Sequence, residues 1–293
     1  MKRYFTVTID TEIDNPRGRA EFSYSLENIK AIPRLQDLFK KYGVKPTYLI
    51  TYPVATDGES INILKKAVEE GAEIGAHLHP WTCPPFKSDD ERRRQDYPHN
   101  SDLEKEKLIQ LTSAIEKSFG KKPVSYRAGR YGLDEESLKI LKELGYIVDS
   151  SITPTMNWSN DDGPDFSSVT STDYYDWNGV LEVPITIMVK GGPAFYRKLS
   201  PAVKAVLGKL GLAKTVWLRP SVSSLSDMKW LSDTSNGRVL NMMFHSNELM
   251  MSTSPYTKTE KEAREFWERL EGILDYLVKE KQLESKTLCE LSF

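Results

Sequence analysis

The stretch PTYLITYPVATDGESINILKKAVEEGAEIGAH, residues 46–77, contains a strand, a helix and a second strand, and this order decides the fold. Residues 46–51 are rich in β-branched and aromatic side chains, which is typical of a strand. Residues 60–71 place apolar side chains at helical spacing and close on Gly71, as a helix C-cap does. Residues 72–77 form the next short strand. Because a crossover helix brings its two strands together in parallel, the stretch predicts a β-α-β unit.

The same alternation continues on both sides of this unit. Further strands are predicted over 3–9, 123–129, 146–151, 180–185 and 238–245, and further helices over 25–43, 101–120, 134–145 and 257–282. Strands that alternate with helices up to about residue 150 predict an α/β protein with a parallel sheet. Residues 152–237, rich in Ser, Asp, Pro and Gly, break this rhythm. They are interpreted as insertions on the loop face of one domain that covers residues 1–293.

Composition limits the classes of function. The 293 residues carry a net charge of −2, with 39% hydrophobic and 28% charged residues, so the chain is globular and has no general attraction to nucleic acid. Cys83 and Cys289 are far apart, and the N-terminus has no sustained apolar run. These features predict a cytoplasmic protein without a signal peptide. No apolar run reaches the roughly 18 residues of a transmembrane helix.

A basic and partly apolar segment, 194–217, stands apart within the insertion. Its apolar residues recur at helical spacing between Lys and Arg. We interpret it as a helix packed on its own protein, with contact to a membrane surface as the alternative.

Reactive side chains follow the ends of successive predicted strands. They are Asp10, His77 with His79, Arg127 with Arg130, Asp149 and His245. Because the carboxyl ends of parallel strands meet at one edge of a barrel or open sheet, this placement predicts a common site. The remaining histidine, His99, receives no role.

The histidine pair lies in GAHLHPW, residues 75–81. Residues two apart in an extended segment face the same side, so His77 and His79 can bind one cation such as zinc. Two histidines satisfied by backbone hydrogen bonds are the alternative. Asp10 and Glu12 share a face in the same way, where one carboxylate can complete a metal site and the other can act as general base. A solvated acidic loop is the alternative for this pair.

The two remaining strand ends supply cationic groups. Arg127 and Arg130 lie in YRAGRYG, where a guanidinium can hold a carboxylate ionised, or form only a surface ion pair. His245 in MFHS can act as a general acid if Glu248 or Asp149 fixes its tautomer, and a structural histidine is the alternative.

Five of these segments together resemble the motifs of the polysaccharide deacetylases, carbohydrate esterase family 4, which hydrolyse N-acyl groups of amino sugars. In the order of the family they are TIDTE, EIGAHLHPW, YRAGRYG, VDSS and MFHS. Three positions depart from the usual pattern. Thr11 separates the acidic pair, Trp81 stands at the usual place of the second histidine, and Gly129 stands where the family has proline. The chain resembles a glycan-biosynthesis branch with an H-x-H-P-W motif.

The resemblance implies a distorted (β/α)7 barrel and a role for each matching residue. Asp10 is then the general base, held by Arg127, and His245 is the general acid, tuned by Asp149. The remaining residues are the metal ligands Glu12, His77 and His79 and the substrate-binding residues Trp81, Arg130 and Tyr131. The metal is a divalent ion, with Zn²⁺ expected first and Co²⁺, Ni²⁺ or Mn²⁺ as alternatives. A backbone N–H near Arg130 or Tyr131 is expected to stabilise the oxyanion.

The predicted function is therefore a metal-dependent hydrolase that removes an acetyl or formyl group from an amino sugar. The sugar is nucleotide-linked, lipid-linked or part of an oligosaccharide. A glycoside hydrolase and a non-catalytic carbohydrate-binding protein are the alternatives.

Overall fold

A computed structural model of the chain describes residues 2–15, 24–86, 101–161, 163–191, 196 and 199–291. The strands are β1 Tyr4–Thr11, β2 Pro46–Ile50, β3 Glu73–Leu78, β4 Ser125–Ala128, β5 Val148–Asp149, β6 Tyr175–Trp177, β7 Val180–Glu182, β8 Ile187–Gly191, β9 Ala213–Trp217, β10 Val239–His245 and β11 Glu284–Ser285. The helices are α1 Ile32–Tyr42, α2 Tyr52–Thr56, α3 Gly58–Glu69, α4 Ser101–Phe119, α5 Glu135–Glu143, α6 Pro201–Lys209, α7 Leu225–Thr234 and α8 Glu260–Asp275.

The main sheet is parallel and curled. Its parallel strands follow the order β10-β1-β2-β3-β4-β5-β7, with β6 antiparallel beyond β7. The N–H of Thr186 donates to the carbonyl of Asn241 at 3.1 Å, and the N–H of Met243 donates to the carbonyl of Leu218 at 3.2 Å. These bonds tie the segments after β7 and after β9 to β10, at the other end of the sheet. The predicted α/β class and distorted (β/α)7 barrel are confirmed.

Local sequence explains where the elements begin and end. Pro33 lies in the first turn of α1, where its missing N–H is tolerated, so a 3₁₀ turn over Glu27–Ala31 precedes a helix shorter than predicted. Gly43 ends α1 at φ 65°, as a left-handed C-cap. At α8, Thr259 and Glu262 form a complete capping box.

The insertion is divided rather than continuous. Strand β7 belongs to the barrel, and α7 is the crossover helix that leads back to β10, although both lie within the range 152–237. The predicted helical segment 194–217 is only partly helical, because β9 pairs antiparallel with β8 from Ile187↔Trp217 to Gly191↔Ala213. Part of that segment, 194–195 and 197–198, lies outside the described residues. No helix in the described part of the chain is both long and apolar enough to cross a membrane.

Candidate active site

Asp10 and Arg127 form the buried centre of the site. They extend from β1 and β4, and Nη1 of Arg127 donates to Oδ1 of Asp10 at 2.6 Å. The guanidinium also donates from Nε to the carbonyl of Ser150 and from Nη2 to the hydroxyls of Thr8 and Ser150. Burial raises the pKa of Asp10, but the charges of Arg127, His77 and His245 and the hydrogen bond from Arg127 together outweigh it and hold the pKa at about 2. The Asp10 carboxylate is therefore ionised, with its second oxygen turned toward two histidines.

Those histidines come from different strands. The Nε2 atom of His77 lies 3.9 Å from Oδ2 of Asp10, and the Nε2 atom of His245 lies 3.7 Å from the same oxygen. The ring of His77 is fixed from behind, because its Nδ1 lies 2.9 Å from the carbonyl oxygen of Arg127. Burial lowers the pKa of His77 to about 4, so its Nε2 carries a free lone pair.

Glu12, His77 and His79 form a group that fits a metal ion. One potential ligand atom from each residue lies within 4.8 Å of the others, and all three side chains are buried. The Nε2 atom of His79 lies 2.8 Å from Oε2 of Glu12, and Asn247 donates to the other Glu12 oxygen at 3.1 Å. Two imidazoles and one carboxylate are the donor set of open catalytic zinc sites, so the residues present fit a divalent ion.

His79 reaches this group because Gly129 leaves room for its ring. A Cβ atom at Gly129 would lie 2.5 Å from Nδ1 of His79 and 2.4 Å from the carbonyl oxygen of Leu78. The Trp81 ring packs on the other side, with ring centroids 4.2 Å apart. Two departures from the family pattern, glycine for proline and tryptophan for histidine, thus flank the same imidazole.

Two side chains, Glu248 and Arg219, hold His245 in place, and the sequence predicted only Glu248. The Nδ1 atom of His245 lies 2.7 Å from Oε1 of Glu248 and 2.8 Å from Nη2 of Arg219. Nη2 of Arg219 also donates a hydrogen bond to Oε1 of Glu248. Burial and the charge of Arg219 lower the pKa of His245, but the hydrogen bond to Glu248 and the charge of Glu12 raise it above its usual value. Arg219 follows an apolar strand as the other site residues do. That signal was present in VWLRP, inside a range interpreted as insertion.

The structure corrects the expected partner of His245. Asp149 accepts instead from the N–H and hydroxyl of Ser151, at 2.9 and 2.7 Å, and Glu182, its neighbour on β7, accepts from the N–H of Ile152 at 3.1 Å. The hydroxyl of Ser151 in turn accepts from the N–H of Ala128 at 2.9 Å. Asp149 thus braces the ends of β4 and β5. Glu182, which sequence reasoning missed, is fully buried beside it.

The predicted substrate-binding residues lie on the segments that follow β3 and β4, where Trp81 and Tyr131 are buried. Arg130 and Tyr131 both have positive φ, 53° and 61°, a strained backbone that is found at functional sites more often than elsewhere. The Tyr131 ring stacks on Trp158 with centroids 5.4 Å apart.

The barrel has the fold of the polysaccharide deacetylases of carbohydrate esterase family 4. Among solved structures, a peptidoglycan N-acetylglucosamine deacetylase is similar over 99% of this chain and 88% of its own, at 14% identity and a TM-score of 0.51. The family 4 domain of a xylanase from the hindgut metagenome of Trinervitermes trinervoides matches 99% and 90%, at 10% identity and 0.50.

A pseudoenzyme of the same family from Bacillus anthracis matches 99% of this chain, at 14% identity and a TM-score of 0.50, and the chain spans 65% of its length. No family model matches, and the search of curated proteins gives no match. The predicted resemblance is therefore confirmed for the fold, and the activity is argued from the site.

Proposed function

We propose that the protein hydrolyses an N-acyl group, acetyl or formyl, from an amino sugar. The observation that carries this proposal is the position of one ionised carboxylate between two imidazoles. Oδ2 of Asp10 faces Nε2 of His77 and of His245, while Arg127 holds Oδ1. Amide hydrolysis needs a base for water and an acid for the leaving amine, and this arrangement offers both at neighbouring positions.

Glu12, His77 and His79 would hold a divalent metal at this centre. When bound, such an ion polarises the acyl carbonyl and lowers the pKa of water. The imidazole-rich donor set favours Zn²⁺, and Co²⁺, Ni²⁺ and Mn²⁺ also accept it. The carbonyl of Arg127 orients the His77 ring, and Asn247 orients Glu12, so the ligands are held by neighbours as in built metal sites.

Asp10 and His245 would carry out the two proton transfers of the reaction. Asp10, ionised by its contact with Arg127, accepts a proton from the attacking water through Oδ2. His245, whose pKa is raised by Glu248 and Glu12 against the effects of burial and Arg219, donates a proton to the departing amine. Opposite roles fit because the pKa of the carboxyl is lowered while that of the imidazole is raised.

The sugar is proposed to lie against Trp81, Arg130 and Tyr131, on the segments that follow β3 and β4. Aromatic rings offer an apolar face to a sugar, and Arg130 offers a donor to its hydroxyl or phosphate groups. One similar structure is a peptidoglycan N-acetylglucosamine deacetylase, which supports an N-acetylated amino sugar as the substrate class. We favour a nucleotide-linked or lipid-linked precursor, because the sequence predicts a cytoplasmic location.

Glycoside hydrolysis is less compatible with the charges at the site. That reaction requires one protonated carboxyl beside an ionised one. The pKa of Asp10 is held at about 2, and the pKa of Glu12 is lowered because the hydrogen bond and charge of His79 outweigh the effect of burial. Both carboxyls are therefore ionised. A non-catalytic sugar-binding protein remains an outcome of the test below.

The test is release of acetate or formate from N-acetylated or N-formylated amino sugars by the purified protein supplied with Zn²⁺ or Co²⁺. We expect His77→Gln to lose both metal binding and hydrolysis, with the thermal unfolding curve as a check of folding. His99→Ala is the matched control, since His99 was assigned no role and lies outside the described residues. Hydrolysis that persists in His77→Gln, or sugar binding without hydrolysis by the metal-loaded protein, would refute the proposal.

A further inference from the structure

One part of the fold exposes aliphatic side chains that the proposed reaction does not use. It consists of the β8–β9 hairpin and α6, described over residues 187–191 and 199–217, and is here termed the arm. Within ten residues of the arm, Val203, Val206, Leu210 and Leu212 are 43%, 55%, 65% and 57% exposed. A helix packed on its own protein would bury such residues, so the interpretation of this segment as an internally packed helix is wrong for these four side chains.

The arm is also the most one-sided stretch of charge in the sequence. From residue 183 to residue 226 the chain has no Asp or Glu, and its basic residues are Lys190, Arg197, Lys198, Lys204, Lys209, Lys214 and Arg219. Of these, Lys190 and Lys214 share the single carboxylate of Asp227, at 3.0 and 2.5 Å, and Arg219 pairs with Glu248. By sequence, the described part of the arm has four lysines and no Asp or Glu, and Asp227 balances one of these charges, so the arm is positive in a chain whose total charge is −2.

We propose that the arm docks on the surface of an anionic phospholipid bilayer. Aliphatic side chains interleaved with Lys and Arg are the composition of helices that lie in the membrane interface, where apolar groups enter the acyl boundary and cations meet lipid phosphates. A second copy of the chain is a poorer occupant, because two arms of the same positive charge repel each other. The charge complementarity thus selects the lipid surface.

The hairpin connects this surface to the catalytic residues. Its five paired residues span on the order of 14 Å from tip to base, at the rise of an antiparallel strand. At the base, Trp217 lies 6.2 Å from the Tyr131 ring, and Arg219, two residues further along, contacts His245. The docking surface and the candidate site are therefore the two ends of one element, although docking does not depend on the reaction.

The experiment is flotation of the whole protein with vesicles of phosphatidylcholine alone or with about one-third phosphatidylglycerol. We expect binding to the anionic vesicles that weakens as salt increases, because exposed charges are screened. The double variant Val206→Glu, Leu210→Glu should reduce the bound fraction roughly tenfold, since it removes apolar contact and adds repulsion. Both positions are exposed, so folding is preserved.

The matched control is Val68→Glu with Ile109→Glu, two helical aliphatic residues of 41% and 44% exposure outside the arm. This control should bind vesicles as the unmodified protein does. Absence of binding to anionic vesicles, or equal loss in the two double variants, overturns the proposal. So does a dimer in solution that the arm variant dissociates, because a second copy would then cover the surface.

Discussion

At the scale of single residues, Gly129 decides whether His79 can serve as a ligand. Any side chain at this position would overlap the His79 ring, since its Cβ would lie 2.5 Å from Nδ1. We expect Gly129→Ala to displace the ring and weaken Zn²⁺ binding about 10- to 100-fold, the usual effect of disturbing the support of a ligand. Metal titration of the purified variant measures the change.

The matched control is Gly58→Ala, where a Cβ would meet no atom within 4 Å. It should bind metal normally. Unchanged Zn²⁺ affinity in Gly129→Ala would show that His79 has no place among the ligands.

Glu248 is the second residue whose role can be measured directly. Its hydrogen bond raises the pKa of His245 against the effects of burial and Arg219. As a general acid His245 must be protonated, so activity falls as pH rises through its pKa. In Glu248→Gln that pKa drops, and the alkaline limb of the kcat profile should move to lower pH by about one unit, with kcat reduced about tenfold.

Asp149→Asn distinguishes the observed partner of His245 from the one expected by resemblance. It removes a carboxyl that contacts Ser151 and Glu182, so the alkaline limb should stay in place. A limb that moves in Asp149→Asn and not in Glu248→Gln would contradict the structure.

The sequence could predict much of the site, and the reason is local. Asp10, His77 and Arg127 follow strands that their own neighbours make recognisable, and the parallel fold brings such ends together. The choice between Glu248 and Asp149 depends on which side chains meet across the barrel, which no local pattern contains. Arg219 did carry the local signal of an apolar strand end, but it lay within the range interpreted as insertion, and only the contact between the chain after β9 and β10 places it beside His245.

At the scale of elements, the barrel was predictable wherever strand and helix alternate regularly. Strands β1 to β4 and helices α3 to α5 lie within a few residues of their predicted positions. The arm was not predictable in this way. The spacing of its apolar residues fits a helix, whereas β9 forms because it pairs with β8. Pairing partners outside the local window override such a pattern.

Helix α8 shows how one cap supports the catalytic edge. It buries Phe266 against Phe244 of β10, and the indole N–H of Trp267 donates to the carbonyl of Leu249, next to Glu248. Thr259→Ala removes the side-chain acceptor for the N–H of Glu262 and should lower the free energy of unfolding by about 1 kcal/mol. Urea denaturation measures this loss. Lys261→Ala, at a 76% exposed side chain in the same turn, should change it by less than about 0.5 kcal/mol.

At the scale of the whole molecule, two buried carboxylates in the barrel interior are each paired with a buried arginine. Arg127 pairs with Asp10, and Arg219 pairs with Glu248. The pKa of each carboxyl is about 2, because the charges and hydrogen bonds of its neighbours outweigh burial, which raises it. Asp149 and Glu182 have no such cation in hydrogen-bond contact among the described residues. Burial raises the pKa of both carboxyls, and the charge and hydrogen bond of Asp149 raise the pKa of Glu182 further.

Glu182→Gln should therefore stabilise the protein in a pH-dependent way. A carboxyl whose pKa is raised by folding contributes its full stability below its unfolded pKa of about 4.3 and loses it as pH rises toward the folded value. Gln keeps the shape and does not titrate. The free energies of unfolding of the two proteins, measured by urea denaturation, should agree near pH 4. At higher pH they should separate by at most about 1.4 kcal/mol per pH unit. Glu268→Gln, on the exposed side of α8, is the matched substitution and should leave the midpoint unchanged throughout. A constant difference between wild type and Glu182→Gln from pH 4 to pH 8 would mean that Glu182 is ionised in the folded barrel and that the pair does not retain a proton.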